Sequence, residues 1–156
     1  MEWVILFFAR WLTWVMLVGA GGWLLWEYRH HPKNFFRELV TVIMTVWFAW
    51  IVSSFLKLII SAPRPFVVQG IDAHFFVTNF SSFPSGHATL FFGLATALYF
   101  YNKQIGIIFF IGAIFIAVSR VLIGVHYSQD IMVGAIIGVI VAVICQLYLF
   151  PKKPVK

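Results

Sequence analysis

Apolar residues occur in five long runs along the chain, and short stretches with charged or turn-forming residues separate these runs. A helix needs about 20 mainly apolar residues to cross the ~30 Å hydrocarbon layer of a bilayer. By that measure the pattern predicts five membrane spans, over residues 3–26, 39–60, 87–101, 105–123 and 131–150. We therefore expect an all-α polytopic membrane helix bundle in which residues 1–156 form a single domain.

Two of the predicted spans differ from the usual length. The first is long and aromatic at both ends, which favours a membrane span over a cleaved signal peptide. The third has only 15 residues, and as a helix it would reach about 22 Å. We therefore expect its first residue, His87, to lie below the membrane surface in a recess lined by protein.

Composition narrows the class of protein further. Hydrophobic residues make up 62% of the chain and charged residues 10%, with a mean hydropathy of +0.97. About a quarter of the residues of a soluble domain are charged, so a soluble globular domain is excluded. The many apolar and aromatic residues exclude a disordered chain. The single cysteine, Cys145, excludes an intrachain disulfide and a cysteine metal cage.

The distribution of positive charge predicts the orientation in the membrane. With five spans, the loop between the first and second spans, the loop between the third and fourth, and the C-terminal segment share one side. They carry seven of the eleven cations: Arg29, Lys33, Arg37, Lys103, Lys152, Lys153 and Lys156. Loops rich in Lys and Arg stay in the cytoplasm, so we expect the C-terminus there and the N-terminus outside. Arg10 has no firm role in this scheme.

The last predicted span carries a face of small residues, with Gly134 and Gly138 four positions apart. Such faces allow two helices to approach closely. Two interpretations remain open from the sequence: packing against another helix of the same chain, or a homodimer through this face.

The remaining cations, Lys57, Arg64 and Arg120, lie in or near spans on the predicted outer side. Ionisable groups at such positions usually face a polar interior and mark a functional site. They belong to three short segments, residues 57–65, 84–87 and 119–130, which also contain two histidines and a carboxylate. Three cations together with these groups indicate an anionic ligand and proton-transfer chemistry.

The local sequences of these segments suggest how the side chains are presented. Proline cannot continue a helix, so the prolines on either side of Arg64 predict an end to the second span and an extended conformation at Arg64. Ser85 and Gly86 lead into the third helix, whose free N–H groups suit a phosphate. His126 and Asp130 are four residues apart, so Asp130 can accept the Nδ1–H of His126 and leave Nε2 free to attack.

In order and spacing, the three segments match the pattern K-x6-R-P, P-S-G-H and S-R-x5-H-x3-D. On these motifs the chain resembles the type 2 phosphatidic acid phosphatase superfamily, membrane lipid phosphatases related to glucose-6-phosphatase and vanadium haloperoxidases. The resemblance covers residues 57–130, about half of the chain. Many bacterial members resemble six-span proteins, whereas five spans are expected here, and the missing one would precede the first motif.

The resemblance implies a role for each motif residue. His126 would be the nucleophile that forms a phosphohistidine, oriented by Asp130, and His87 would be the general acid and then the base that activates water. The groups implied in binding the phosphoryl oxygens are Lys57, Arg64, Ser85, Gly86 and Arg120. We expect no metal and no cofactor, because three cations can neutralise a phosphoryl group without one.

The expected function is therefore dephosphorylation of a membrane lipid phosphate or diphosphate at the extracytoplasmic face, in a bacterial plasma membrane. The outward-facing site and the small chain favour a polyprenyl diphosphate such as undecaprenyl diphosphate. The alternatives are phosphatidic acid or phosphatidylglycerol phosphate as the substrate, transfer of the phosphoryl group to another lipid, and a protein that binds or translocates lipid without hydrolysis. The expected partners are the lipid substrate and the bilayer, not nucleic acid.

The segment 66–83 is open to two interpretations. Its phenylalanines (Phe66, Phe75, Phe76, Phe80 and Phe83) either guide an acyl or prenyl tail toward the site or seal the membrane surface. Asp72 and His74, in the same segment, are candidates for contact with a lipid head group.

Overall fold

The computed structural model describes residues 2–70 and 81–149, and every regular element in that part of the chain is helical. The elements are α1 (Glu2–Leu6), a π-helical segment (Phe7–Trp11), α2 (Leu12–His30), α3 (Pro32–Ile60), α4 (Pro65–Val68), α5 (Gly86–Tyr99), α6 (Lys103–Leu122) and α7 (Ser128–Leu149). The predicted all-α polytopic fold is therefore confirmed.

Within the described residues, four helical runs are long and apolar enough to span a membrane: Trp3–His30, Phe35–Val68, Lys103–Leu122 and Ser128–Leu149. The first joins α1, the π-helical segment and α2, and it corresponds to the first predicted span. The third predicted span corresponds to α5, which has 14 residues and is therefore even shorter than expected. Every predicted span thus coincides with a helical run, and the protein is a multi-pass membrane protein.

The short helix α5 lies at the centre of the bundle and packs against α3, α6 and α7. Phe91, Leu94 and Leu98 of α5 are almost completely buried. A membrane-spanning helix that faces lipid is apolar on its outside, whereas α5 is surrounded by protein on most of its faces. The first residues of α5 are therefore held by neighbouring helices rather than by the membrane.

The small-residue face of α7 packs against α5 within the same chain. A Cβ added to Gly138 would stand 2.2 Å from the Thr89 carbonyl oxygen, and one added to Gly134 would stand 2.7 Å from the Ser85 carbonyl oxygen. Neither position has room for a side chain. Packing within the monomer therefore accounts for Gly134 and Gly138, and a homodimer stays a prediction that would need another surface.

Local sequence explains where the chain turns beside the site. α3 ends at Ile60, and Ser61 follows in the left-handed region with φ of 37°. Arg64 is extended, with ψ of 152°, and Pro65 occupies the first turn of α4, where its missing N–H is no loss. The predicted end of the second span and the extended Arg64 are confirmed. Between α6 and α7, Gly124 has φ of +71°, a conformation that favours glycine.

Candidate active site

The three motif segments meet at one end of the bundle. The Arg64 guanidinium donates from Nη1 to the Val125 carbonyl oxygen at 3.1 Å, which joins the end of the second span to the α6–α7 turn. The Ser85 N–H donates to the Asp130 carbonyl oxygen at 3.0 Å, which joins the start of α5 to the start of α7. Segments that are far apart in sequence are thus held together by direct hydrogen bonds.

His126 and Asp130 form a buried pair in the α6–α7 turn. His126 is 3% exposed and Asp130 is 1% exposed. His126 Nδ1 lies 3.5 Å from Asp130 Oδ2, close enough for charge interaction but without a hydrogen bond. The same carboxylate oxygen accepts from the Tyr127 N–H at 2.9 Å, which fixes its position. Catalytic hydrogen bonds are often long until substrate binds, so this arrangement can tighten around a ligand.

The surroundings of His126 favour the neutral imidazole. Burial lowers the pKa of His126 well below its ordinary value of about 6.5. The positive charges of Arg64, Lys57 and Arg120 lower this pKa further. Nδ1 faces Asp130, and Nε2 lies 3.4 Å from Nη1 of Arg64. A neutral ring with its proton on Nδ1 presents an unprotonated Nε2 to an anion held by Arg64.

Arg120 is held by a part of the chain that carries no motif. Its Nη1 donates to the Ala9 carbonyl oxygen at 3.3 Å, and Ala9 belongs to the π-helical segment. Its Nε is buried and has no hydrogen-bond partner among the described residues. The Ala9 carbonyl could not be predicted from the sequence, because a backbone acceptor leaves no signal in the residue type.

The start of α5 provides backbone donors at the site. Ser85 is the N-cap residue, and its Oγ accepts from the Ala88 N–H at 3.4 Å. A Cβ added to Gly86 would make only ordinary contacts with the protein, at 3.5 Å or more. Packing within the protein therefore does not require glycine here. The first N–H groups of a helix, with its positive dipole end, suit a bound phosphate.

His87, the second residue of α5, lines a cavity of about 270 Å³ between α2, α3 and α5. Lys57 lines the same cavity, and its ammonium donates to the Pro84 carbonyl oxygen. Ser53 and Thr13 also line it, and neither was singled out from the sequence. Ser53 precedes Lys57 by one helical turn and could have been found from that spacing. Nothing in the local sequence identifies Thr13.

A second, almost wholly apolar groove adjoins this cavity. Its volume is about 410 Å³, and it shares Trp50 and Leu90 with the His87 cavity. Its other lining residues all belong to α3: Val42, Ile43, Val46 and Trp47. The arrangement places a cavity with several polar side chains beside the motif residues and an apolar groove alongside it. Together they can accept a molecule with an anionic end and an apolar tail.

The structure brings together all eight motif residues. Asp72, His74, Phe75, Phe76 and Phe80 lie outside the described residues. Phe66 is buried, and its N–H donates to the Gly124 carbonyl oxygen at 3.2 Å, which anchors the start of that segment to the α6–α7 turn. Arg10 is exposed. Among the described residues, no group of three or more His, Cys, Asp or Glu side chains is placed to hold a metal ion.

Part of this chain is similar in sequence to two proteins named BcrC. The bacitracin transport permease protein BcrC of Bacillus licheniformis is 35% identical over 74 residues, which are 47% of this chain and 34% of that protein. The undecaprenyl-diphosphatase BcrC of Bacillus subtilis is 28% identical over 91 residues, which are 58% of this chain and 47% of that protein. The match thus spans less than half the length of either relative.

The fold also matches a solved structure. The crystal structure of Aquifex aeolicus LpxE superposes with a TM-score of 0.74 at 24% sequence identity, over 95% of this chain and 88% of that one. A family model described as the PAP2 superfamily matches residues 38–154, which include all three motif segments. That match extends over most of the chain, and the protein therefore belongs to the PAP2 superfamily.

Proposed function

We propose that this protein is a membrane lipid phosphatase that works through a phosphohistidine on His126. The observation that carries the proposal is the placement of His126 Nε2, which lies 3.4 Å from the Arg64 guanidinium while Nδ1 faces the Asp130 carboxylate. An anion drawn to the guanidinium is presented to an unprotonated nitrogen. Membership of the PAP2 superfamily and similarity to an undecaprenyl-diphosphatase support this assignment.

In the first step, His126 Nε2 attacks the phosphorus and forms a P–N bond. The bond between phosphorus and the leaving oxygen breaks, and His87 gives that oxygen a proton. Negative charge spreads over the equatorial oxygens in the transition state. Arg64 and Arg120 neutralise this charge, together with the Ser85 hydroxyl and the N–H groups at the start of α5.

In the second step, water attacks the phosphohistidine. His87, which has lost its proton, takes one from the water, and the new P–O bond replaces the P–N bond. Inorganic phosphate leaves, and both histidines return to their starting protonation states. Asp130 keeps Nδ1 of His126 protonated, and it stabilises the positive charge that the ring carries while phosphorus is bonded to Nε2, as the carboxylate of a catalytic triad stabilises an imidazolium.

The substrate we propose is a lipid phosphate or diphosphate whose tail occupies the apolar groove along α3. A polyprenyl diphosphate such as undecaprenyl diphosphate remains the favoured candidate, since one relative is an undecaprenyl-diphosphatase. The excess of Lys and Arg in the loops at the opposite end of the bundle supports a site on the extracytoplasmic side. If another lipid replaced water in the second step, the same site would act as a phosphotransferase.

The test is phosphate release by the full chain in lipid nanodiscs, with polyprenyl diphosphate, phosphatidic acid and phosphatidylglycerol phosphate as separate substrates. We expect His126→Ala to lower release from the preferred substrate by at least about 10⁴-fold, since it removes the nucleophile. The control is His30→Ala, because His30 is exposed at the other end of the bundle.

A direct readout of the intermediate complements the rate. With ³²P-labelled substrate, the wild type should carry an acid-labile, alkali-stable label, whereas His126→Ala should carry none. Label transferred to a second lipid instead of water would identify a phosphotransferase. Phosphate release by His126→Ala at the wild-type rate would contradict the proposal.

A further inference from the structure

Two buried hydroxyls face the cavity beside His87. Ser53, on α3, is 2% exposed, and Thr13 lies on α2 across from it. Neither Ser53 Oγ nor Thr13 Oγ1 has a hydrogen-bond partner among the described residues. Buried polar groups without partners are rare in native structures, and each calls for an explanation. A ligand that occupies the cavity would provide the missing partner.

Another polar group that lines this cavity is the Lys57 ammonium. It uses one donor on the Pro84 carbonyl oxygen, and an ammonium has three. Lys57, Ser53 and Thr13 therefore offer one positive charge and two hydroxyls to whatever enters. This set is suited to a phosphate group. An alcohol would leave the charge of Lys57 without a partner.

The cavity also lies on the leaving-group side of the reaction. In a phosphoryl transfer the nucleophile and the leaving oxygen lie roughly in line on opposite sides of the phosphorus. In the proposed mechanism His87 protonates the leaving oxygen, and His87 lines this cavity whereas His126 does not. The cavity therefore receives the part of the substrate that departs. Beyond it, Trp50 and Leu90 lead into the apolar groove.

We propose that Ser53 and Thr13 form a second phosphate subsite, which binds the lipid-proximal phosphate of a lipid diphosphate, and that Lys57, the motif residue expected to bind the reacting phosphoryl group, also reaches this phosphate with a remaining donor. The proposal rests on the phosphatase function proposed above and specifies its substrate class. His126 attacks the terminal phosphorus, the bond from that phosphorus to the bridging oxygen breaks, and the bridging oxygen takes the proton of His87. The products are the phosphohistidine and a lipid monophosphate, and water then releases inorganic phosphate.

The experiment uses two substrates with the same tail, farnesyl diphosphate and farnesyl monophosphate, and the full chain in nanodiscs. Initial rates of phosphate release give kcat/KM for each. We expect Ser53→Ala and Thr13→Val each to lower kcat/KM for the diphosphate by about tenfold or more, as for a lost hydrogen bond to a charged group. For the monophosphate we expect a change of less than about twofold, since its leaving group carries no phosphate.

Conservative variants separate the hydroxyl from the shape of the cavity. Thr13→Ser retains a hydroxyl and should retain the preference for the diphosphate. Thr45→Val is the matched control, because it removes a buried hydroxyl from α3 at a position that does not line the cavity. It should leave the ratio of the two kcat/KM values unchanged.

The outcomes distinguish this inference from the proposed function. If the wild type cleaves both substrates and Ser53→Ala and Thr13→Val lower both equally, or change neither, the second subsite is wrong and the phosphatase assignment stands. If Thr45→Val alters the ratio as much as Ser53→Ala does, the subsite is also wrong. If the wild type releases phosphate from neither compound nor from any other lipid phosphate, both proposals fail.

Discussion

Polar side chains are buried at both ends of the helix bundle. At the end that carries the three motif segments, here the motif end, they face the proposed active site, and at the opposite end they hydrogen-bond to one another. At the motif end, Arg64, Arg120, His126 and Asp130 are buried together, and within residues 2–70 and 81–149 neither Arg120 Nε nor His126 Nδ1 has a hydrogen-bond partner. At the other end, the Tyr101 hydroxyl lies 2.7 Å from Thr41 Oγ1 and 2.9 Å from Gln146 Oε1.

The cluster of Thr41, Tyr101 and Gln146, here the Tyr101 cluster, connects α3, the α5–α6 turn and α7. Thr41 also donates to the Arg37 carbonyl oxygen at 2.9 Å, and the Arg37 guanidinium lies 5.6 Å from the centre of the Tyr101 ring. Its groups complete one another's hydrogen bonds, whereas Arg120 Nε and His126 Nδ1 at the motif end have no partner in the part of the chain that the structure describes. Buried polar groups that hydrogen-bond to one another stabilise the fold, whereas buried polar groups without a protein partner are available to bind a ligand.

The largest effect that follows from this difference is on activity at the motif end. Arg120→Ala should lower kcat by about 10²–10³-fold, because one preorganised charge on the phosphoryl oxygens is lost. Thermal stability should not fall, since removing a buried cation relieves its desolvation cost. Phosphate release and a thermal unfolding scan on the same sample measure both effects.

Arg10→Ala is the control for that experiment. Arg10 is exposed on the π-helical segment, so its loss removes the same charge from the same end without touching the site. If Arg120→Ala loses stability without losing specific activity, Arg120 has a structural role like that of the Tyr101 cluster, and the difference drawn between the two ends of the bundle is wrong.

The next effect concerns pH. Burial lowers the pKa of His126, so the neutral, attacking form persists as pH falls and is lost only well below the ordinary value. A histidine with a pKa of about 6.5 would lose about tenfold of its neutral form between pH 7.5 and 5.5. We expect the rate of phosphohistidine formation, measured in single turnover, to fall by much less over that interval. A tenfold fall would show that Nε2 is not protected from protonation.

The smallest effect is expected at the Tyr101 cluster. Tyr101→Phe should reduce the free energy of unfolding by about 1 kcal/mol, the usual value of a neutral hydrogen bond. Activity should change by less than about twofold. Tyr99→Phe is the matched control, because Tyr99 is more exposed and ends α5 two residues before Tyr101. A large loss of activity in Tyr101→Phe would mean that this end also takes part in function.

Much of the fold could be predicted because the chain alternates between long apolar runs and short polar stretches. The starts of the helices were the weaker part. α3 begins at Pro32 rather than at residue 39, since the polar residues after Pro32 continue the helix outside the apolar run. α6 begins at Lys103 because the Asn102 side chain accepts from the first N–H groups of that helix. A hydropathy pattern identifies segments that are buried in lipid, but it does not identify residues that cap a helix or extend it beyond the membrane.

The site could be predicted where it depends on residue type and spacing, as for His126 and Asp130. It could not be predicted where it depends on how distant helices cross. The Ala9 carbonyl reaches Arg120 because a π-helical segment packs on α6, and Thr13 reaches the cavity because α2 crosses it. Neither residue type is distinctive, and neither contact is local in sequence.

The close approach of α5 and α7 has a consequence for chemistry as well as for packing. Ser85 and Gly86 lie at the start of α5, and Asp130 lies in the first turn of α7. The distance between the two helices therefore determines the distance from the proposed phosphate-binding N–H groups to the His126–Asp130 pair. Gly134 and Gly138, at the contact between α7 and α5, determine that distance. A single methyl group at either position would push the two halves apart, and a displacement of about 1 Å in a catalytic arrangement can lower the rate 10²-fold. Gly134 and Gly138 thereby affect the reaction rate without touching the substrate, because they fix the distance between the two helices that carry the site.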